Sequence, residues 1–255
     1  MDRSNQAAFR EFGRILRASR ARSGTASMQS RVPAWLTLIK DVVKCGTSEV
    51  SWWRYESGRT LPNAICLIAI ADMYSAQRDA GGQTSDDRAR RLEFLAVLGH
   101  ALIKDGCRLG AGSEPPPALT RAPGGSRVQG HDLVVGVRAP DCNRSLFPRF
   151  GLLLRASRDT IGSSLEQLRD RFPAWLELAL RSANGAQRED CLCPSTLWRY
   201  ERGRTVPNAL VFVLMADVYG VSLFDLVTAL EADIADRLAG LAAAPSGDVR
   251  GARNV

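Results

Sequence analysis

The residues best equipped for chemistry in this 255-residue chain stand in a block that occurs twice. Trp53-Arg54-Tyr55-Glu56-Ser57-Gly58-Arg59-Thr60-Leu61-Pro62-Asn63-Ala64 returns as Trp198-Arg199-Tyr200-Glu201-Arg202-Gly203-Arg204-Thr205-Val206-Pro207-Asn208-Ala209, with ten of twelve positions identical. A guanidinium is planar and always charged, which suits phosphate oxygens and the paired acceptors of guanine. All but three of the 34 basic residues are arginine, the exceptions being Lys40, Lys44 and Lys104. Catalysis has much less to stand on. There is no Ser-His-Asp setting, no glycine loop built to cradle phosphate and no metal-ligand cluster. His131 has no evident partner. The expectation is a non-enzyme with no catalytic residue, metal or cofactor. Six cysteines include no Cys-x-x-Cys pair, and Cys191-x-Cys193 has the wrong spacing for a zinc knuckle. Scattered reduced thiols are expected. A redox role for Cys45, Cys191 and Cys193, beside the repeated blocks, is the alternative.

The repetition extends beyond the block. Phe12-Gly13-Arg14-Ile15-Leu16-Arg17-Ala18-Ser19-Arg20 returns as Phe150-Gly151-Leu152-Leu153-Leu154-Arg155-Ala156-Ser157-Arg158, seven of nine positions identical. Arg31-Val32-Pro33-Ala34-Trp35-Leu36 returns as Arg171-Phe172-Pro173-Ala174-Trp175-Leu176, and Ala71-Asp72-Met73-Tyr74 as Ala216-Asp217-Val218-Tyr219. The order is kept while the offset grows from 138 to 145, so a domain has been duplicated and the second copy carries insertions. Residues 7–105 form the first copy and 148–244 the second. Residues 106–147, with twelve Pro or Gly, read as a linker, and 245–255 as a flexible tail. A short strand at 131–137 is the one β expectation.

Net charge is +7, distributed as +5 over residues 1–75, +2 over 76–147 and zero over 148–255. The sign favours an anionic partner, nucleic acid first. No apolar stretch approaches the roughly 18 residues of a membrane span, and the first residues lack the apolar core of a signal peptide. A cytoplasmic, nucleoid-associated protein without membrane contact is expected.

Helices must position these residues. Phe9, Phe12, Ile15 and Leu16 share one helical face. Pro62 and Pro207 stand where a helix could begin. Ser222, with Asp225 three residues on, could cap a last helix with Leu223, Leu226, Val227, Leu230, Ile234, Leu238 and Leu241 on one stripe. Residues 87–105 are its counterpart in the first copy. Such stripes pack within their own copy, or form a homodimer or inter-copy seam through 223–241. Trp53, Trp198, Tyr55 and Tyr200 are expected in the core, and Trp52 with them.

Arg-Tyr-Glu-x-Gly, the following x-x-x-Pro, the Ala nine residues later and Gly220-Val221-Ser222 opening the last helix together resemble the Cro/cI-type (xenobiotic-response-element) helix-turn-helix family. The likeness covers about 160 of the 255 residues. It implies an all-α protein, two lambda-repressor-like helix-turn-helix domains joined by a Pro/Gly-rich linker, acting on double-stranded DNA. Alignment to the family places Glu49, Val50 and Arg54, and Pro194, Ser195 and Arg199, at base edges. Arg54 and Arg199 suit guanine; Glu49 could accept from cytosine, which Pro194 and Ser195 cannot, so the copies should read different base steps. Arg59, Thr60 and Asn63, with Arg202, Arg204, Thr205 and Asn208, fall where donors commonly meet phosphates, or serve as caps and turns. Gly58 and Gly203 fit left-handed helix ends. The resemblance also implies structural pairs, Arg20 with Glu56 and Arg158 with Glu201, locking the first helix to the recognition helix.

The chain departs from the family between these elements. Gly24 to Gly46 spans 22 residues and Gly162 to Cys191 spans 29, where the family has about eleven. An extra helix is expected at Pro33–Lys44 and at Pro173–Ser182, each with proline in its first turn. Ser164-Leu165-Glu166-Gln167 resembles a capping-box start to the usual second helix; in the first copy residues 37–45 compete for that role. The neutral second copy, with its turn interrupted at 184–190, motivates another reading: a protein-interaction or antitoxin-like scaffold with a degenerate second copy.

Overall fold

The sequence's capping signals and apolar periods set where the helices begin and what they bury. The computed structural model describes residues 8–22, 32–43, 48–75, 84–109, 145–184 and 192–243. Among them the chain is all-α, with one isolated β-bridge and no named strand. The first copy contributes α1 (Arg10–Arg22), α2 (Ala34–Val43), α3 (Glu49–Glu56), α4 (Ala64–Ser75) and α5 (Thr84–Leu109). The second contributes α6 (Pro148–Ile161), α7 (Leu165–Arg171), α8 (Trp175–Asn184), α9 (Pro194–Glu201), α10 (Ala209–Tyr219) and α11 (Leu223–Ala243). The strand expected at 131–137 and the tail from 245 lie outside the described residues, as does most of the linker. α5 runs four residues past Asp105, because buried Cys107 belongs to the core. No described helix is long and apolar enough to cross a membrane.

Local chemistry explains the helix ends. Ser164 caps α7 in a full capping box with Gln167. Ser222 Oγ accepts from the Asp225 N–H at 3.0 Å and caps α11. Pro62 and Pro207 do not occupy first turns. The N-caps are the asparagines after them: Asn63 Oδ1 accepts from the Cys66 N–H at 2.9 Å, and Asn208 Oδ1 from the Val211 N–H at 3.0 Å. The side-chain oxygen satisfies an orphan amide, for which the proline one residue before it has no side-chain acceptor.

In each copy the last helix returns to cap the first. Asp105 on α5 accepts the N–H groups of Glu11 and Phe12 at 2.8 and 3.0 Å. Asp233 on α11 accepts those of Arg149 and Phe150, both at 3.0 Å. Both aspartates are buried, and the helix dipole favours a negative charge there. Burial wins nonetheless: it pushes the Asp233 carboxyl up to about 6, against the pull of its two amide donors. The α11 stripe packs mainly on α6, with Leu226, Leu230 and Ile234 buried and Leu241 half exposed.

The first helix also meets the end of the short helix that carries the repeated block. Gly151 lies so close to the end of α9 that a Cβ there would stand 2.6 Å from the Glu201 carbonyl oxygen and 2.6 Å from the Gly203 nitrogen. Gly13 approaches Glu56 and Gly58 in the same way. Gly58 and Gly203 adopt φ of 66° and 60°, the left-handed ends expected for them.

The copies are joined about an approximate two-fold. Asn63 and Asn208 form an antiparallel bridge. The Ala64 N–H donates to the Pro207 carbonyl at 2.9 Å, and the Ala209 N–H returns to the Pro62 carbonyl at 2.8 Å. The extra helices cross over. α8 packs on α5 of the first copy, its Trp175 ring filling the notch left by Gly106, and α2 packs on α11 of the second. Arg91 of α5 spans Asp72 and Glu231 at 2.8 and 2.5 Å, while Arg88 lies over the Phe224 ring at 4.7 Å. The insertions thus clasp one copy to the other. In the second copy it is α7 that packs beside α9.

Gly151→Ala should cost about 3 kcal/mol, because the colliding atoms are backbone. Gly162→Ala, with φ 68° and open space around it, should cost only about 1 kcal/mol. Urea melts of the two variants test this; equal costs would refute the close approach. A second expectation concerns pH. The Asp233 carboxyl titrates higher folded than unfolded, so the folded state holds the extra proton between about pH 4 and 6. Wild-type stability relative to Asp233→Asn should therefore be greatest below about pH 4 and fall as pH rises through 6. A pH-independent difference between the two proteins would contradict it.

Candidate nucleic-acid interface

The short helices α3 and α9 divide their residues between a buried and an open side. Trp52 and Tyr55 on α3, and Leu197 and Tyr200 on α9, point into the core. The intervals of three residues put each pair on one helical face. Glu49, Val50, Trp53 and Arg54 are exposed on α3, as are Ser195, Trp198 and Arg199 on α9. Five of the six base-edge candidates, Glu49, Val50, Arg54, Ser195 and Arg199, therefore lie on the open side; Pro194 is half-buried at the first position of α9.

Trp53 and Trp198 correct the expectation of core aromatics. Trp53 is 52% exposed and Trp198 37%. The reason lies in the helix period: adjacent Trp52 and Trp53 sit about 100° apart, so both cannot face the same core. The interior place goes to Trp52, whose counterpart is the buried Leu197. Each outer ring carries arginine instead. The Arg59 guanidinium lies 4.6 Å from the Trp53 ring centroid. Over Trp198 lie two, Arg204 at 4.7 Å and Arg202 at 5.4 Å. Such stacking attracts the cation to the ring and narrows the rotamers of a long side chain. The edge of the guanidinium still carries donors for an anion.

The end of each short helix is tied to the first helix of its copy. Arg20 Nε stands 3.1 Å from Glu56 Oε1, and Arg158 Nε 2.8 Å from Glu201 Oε1. Both carboxylates are buried. Burial raises the Glu56 carboxyl above its usual range, opposed by Arg20 and Arg17. Arg17 adds a contact that the motif did not reveal: its Nη1 donates to the Glu56 carbonyl at 2.5 Å. In the second copy the Tyr219 hydroxyl donates to Glu201 Oε1 at 3.3 Å, and burial raises that phenol strongly.

The remaining candidates lie between α3 and α4, or α9 and α10. Arg59 and Arg204 are exposed, and Arg202, Thr60 and Thr205 half-buried. Asn63 and Asn208 spend their side-chain oxygens on capping and sit at the junction of the copies. No family model matches the chain, and no curated protein or solved structure matches it. The capacity of the face is therefore set by its own chemistry.

That chemistry is cationic in both copies. Although residues 148–255 are neutral in sum, Arg199, Arg202 and Arg204 cluster at one place. The only acid within 192–205, Glu201, is buried and paired. The first copy has Arg54 and Arg59 here, Ser57 in place of Arg202, and exposed Glu49. At the start of α9, Cys193 Sγ contacts the hydroxyls of Ser195 and Thr196 at 2.9 and 3.2 Å, which lower the thiol to about 7. Cys193 and Cys107 are free, whereas Cys66 is disulfide-bonded, against the expectation of reduced thiols throughout.

Arg158→Ala should destabilise by about 3 kcal/mol, since it leaves Glu201 buried without its charge partner. Arg20→Ala should cost less, because the Arg20 side chain is 38% exposed and Arg17 also faces Glu56. Thermal unfolding of both variants decides it, and a larger loss for Arg20→Ala would contradict the ranking.

Proposed function

We propose that this chain is a sequence-specific regulator that binds double-stranded DNA through two helix-turn-helix units, one in each copy, and acts at the nucleoid. The observation that carries the reading is the open side of α3 and α9. Each presents an arginine in its last turn and an arginine-stacked tryptophan beside it, over a core that fixes the helix from behind. In the second unit α7 and α9 are the helix pair, with α8 inserted between them. A major groove about 12 Å wide admits one α-helix. Arg54 and Arg199 would hold guanine O6 and N7; Glu49, Val50, Pro194 and Ser195 would tune the neighbouring steps. Arg59, Arg202 and Arg204, steadied on tryptophan, would hold phosphates, which position the helix without reading sequence. Thr60 and Thr205 can add hydroxyl donors there.

The degenerate-scaffold reading has less support. It rests on the neutral second copy, yet the cationic cluster at α9 is larger than that at α3. The leucine stripe is largely occupied by α6.

Purified protein should shift duplex DNA at low salt, with affinity falling steeply as salt rises. Arg54→Ala and Arg199→Ala should each cost about 1–3 kcal/mol on a selected site and relax its sequence preference. Arg59→Ala should weaken binding to all duplexes and reduce the salt slope by about one. Absence of duplex binding at low salt by a folded protein would overturn the proposal.

A further inference from the structure

We infer that the DNA site of this protein is an inverted repeat with unequal halves, about one helical turn apart, read by a single chain. The inference rests on the DNA-binding function proposed above. It adds the orientation, spacing and stoichiometry that the tandem sequence leaves open, since two copies joined in tandem could read direct or inverted halves.

Orientation follows from the junction of the copies. The Ala64–Pro207 and Ala209–Pro62 hydrogen bonds are reciprocal, and the Asn63–Asn208 bridge is antiparallel. A translation of one copy onto the other would pair a given residue with a different one. Here the contacts are reciprocal, Ala64 to Pro207 and Ala209 to Pro62, and Asn63 meets its own equivalent Asn208, as a two-fold requires. The crossed packing of α8 on α5 and α2 on α11 obeys the same relation. A two-fold applied to two readers of one duplex turns the second half-site to the opposite strand.

Spacing follows from chain reach. The Arg59 N–H returns to the Arg54 carbonyl at 2.9 Å, and the Arg204 N–H to the Arg199 carbonyl at 3.0 Å. Only the chain from there to Asn63 or Asn208 remains, at most about 14 Å when stretched. The backbones of Arg54 and Arg199 therefore lie within roughly 45 Å of each other, which admits one turn of about 34–36 Å and excludes two.

Inequality of the halves follows from the open helix faces, where Glu49 and Val50 stand against Pro194 and Ser195. The stacked Arg59 and Arg204, and Arg54 and Arg199 in the last turns, are common to both copies. Each chain thus joins a shared phosphate grip to two dissimilar readers.

The test is selection of genomic duplex fragments by the full-length wild-type chain, followed by sequencing, beside the double variant Glu49→Pro/Val50→Ser. Proline suits this first helical position, as Pro194 does on α9. Wild type should retain two dissimilar half-motifs with centres 10–11 base pairs apart, in complexes of one chain per duplex by native mass spectrometry. The double variant should retain a near-palindrome. Synthetic duplexes with one half reversed should bind wild type about 100-fold more weakly, as expected when only one reader is anchored. A near-perfect direct repeat from the double variant would overturn the inference while leaving DNA binding intact. So would freely variable spacing, two chains per site, or a motif unchanged by the double substitution. No enrichment by the folded wild type would instead overturn the proposed function itself.

Discussion

Everything on the open face depends on how closely the first helix of each copy approaches the end of the helix behind that face. Gly13 and Gly151 have no side chain to hold the backbones apart. Gly58 and Gly203 turn the chain away in a left-handed conformation. The buried glutamate two residues earlier is met by an arginine of the first helix. A charge pair alone would tolerate sliding; backbone contact does not. The two together fix the rotation of α3 and α9 about their own axes. Rotation decides which side chains face outward, so the positions of Arg54, Trp53 and their equivalents are consequences of this contact.

The first helix is in turn held from its other end. Asp105 and Asp233 reach back from the last helices to cap α1 and α6. Each copy is a closed circuit: the last helix fixes the first, and the first fixes the short helix that carries the repeated block. The carboxylates at these joints are buried, and burial raises the carboxyls of Asp105, Asp233 and Glu56 against their donors and charge partners. Such groups trade stability for a defined geometry.

The link between copies uses different means. Where the copies meet at Asn63 and Asn208, the contacts are backbone hydrogen bonds, which carry orientation but little apolar area. Area is supplied by the insertions and by α5, with Trp175 seated at Gly106 and Val213 against Gly99. The segment that sets this sequence apart from the helix-turn-helix pattern is thus the segment that makes one body of two copies.

The sequence alone makes legible the duplication, the helical character, the capping serines and the repeated block, because these are written in local spacing and in residue types with strong backbone preferences. It also pointed to the Arg–Glu pairs through a resemblance. It misplaced Trp53 and Trp198, because an aromatic counts as core until the face of its helix is known; the buried Trp52–Tyr55 interval held the correction. It placed the helix starts at Pro62 and Pro207, where the neighbouring asparagines compete better for the orphan amides. Three-dimensional packing alone reveals that both inserted helices cross to the other copy, that Asp105 and Asp233 close each circuit, and that the copies face one another about a two-fold. Those facts depend on contacts between residues far apart in the chain, whose geometry no local period encodes.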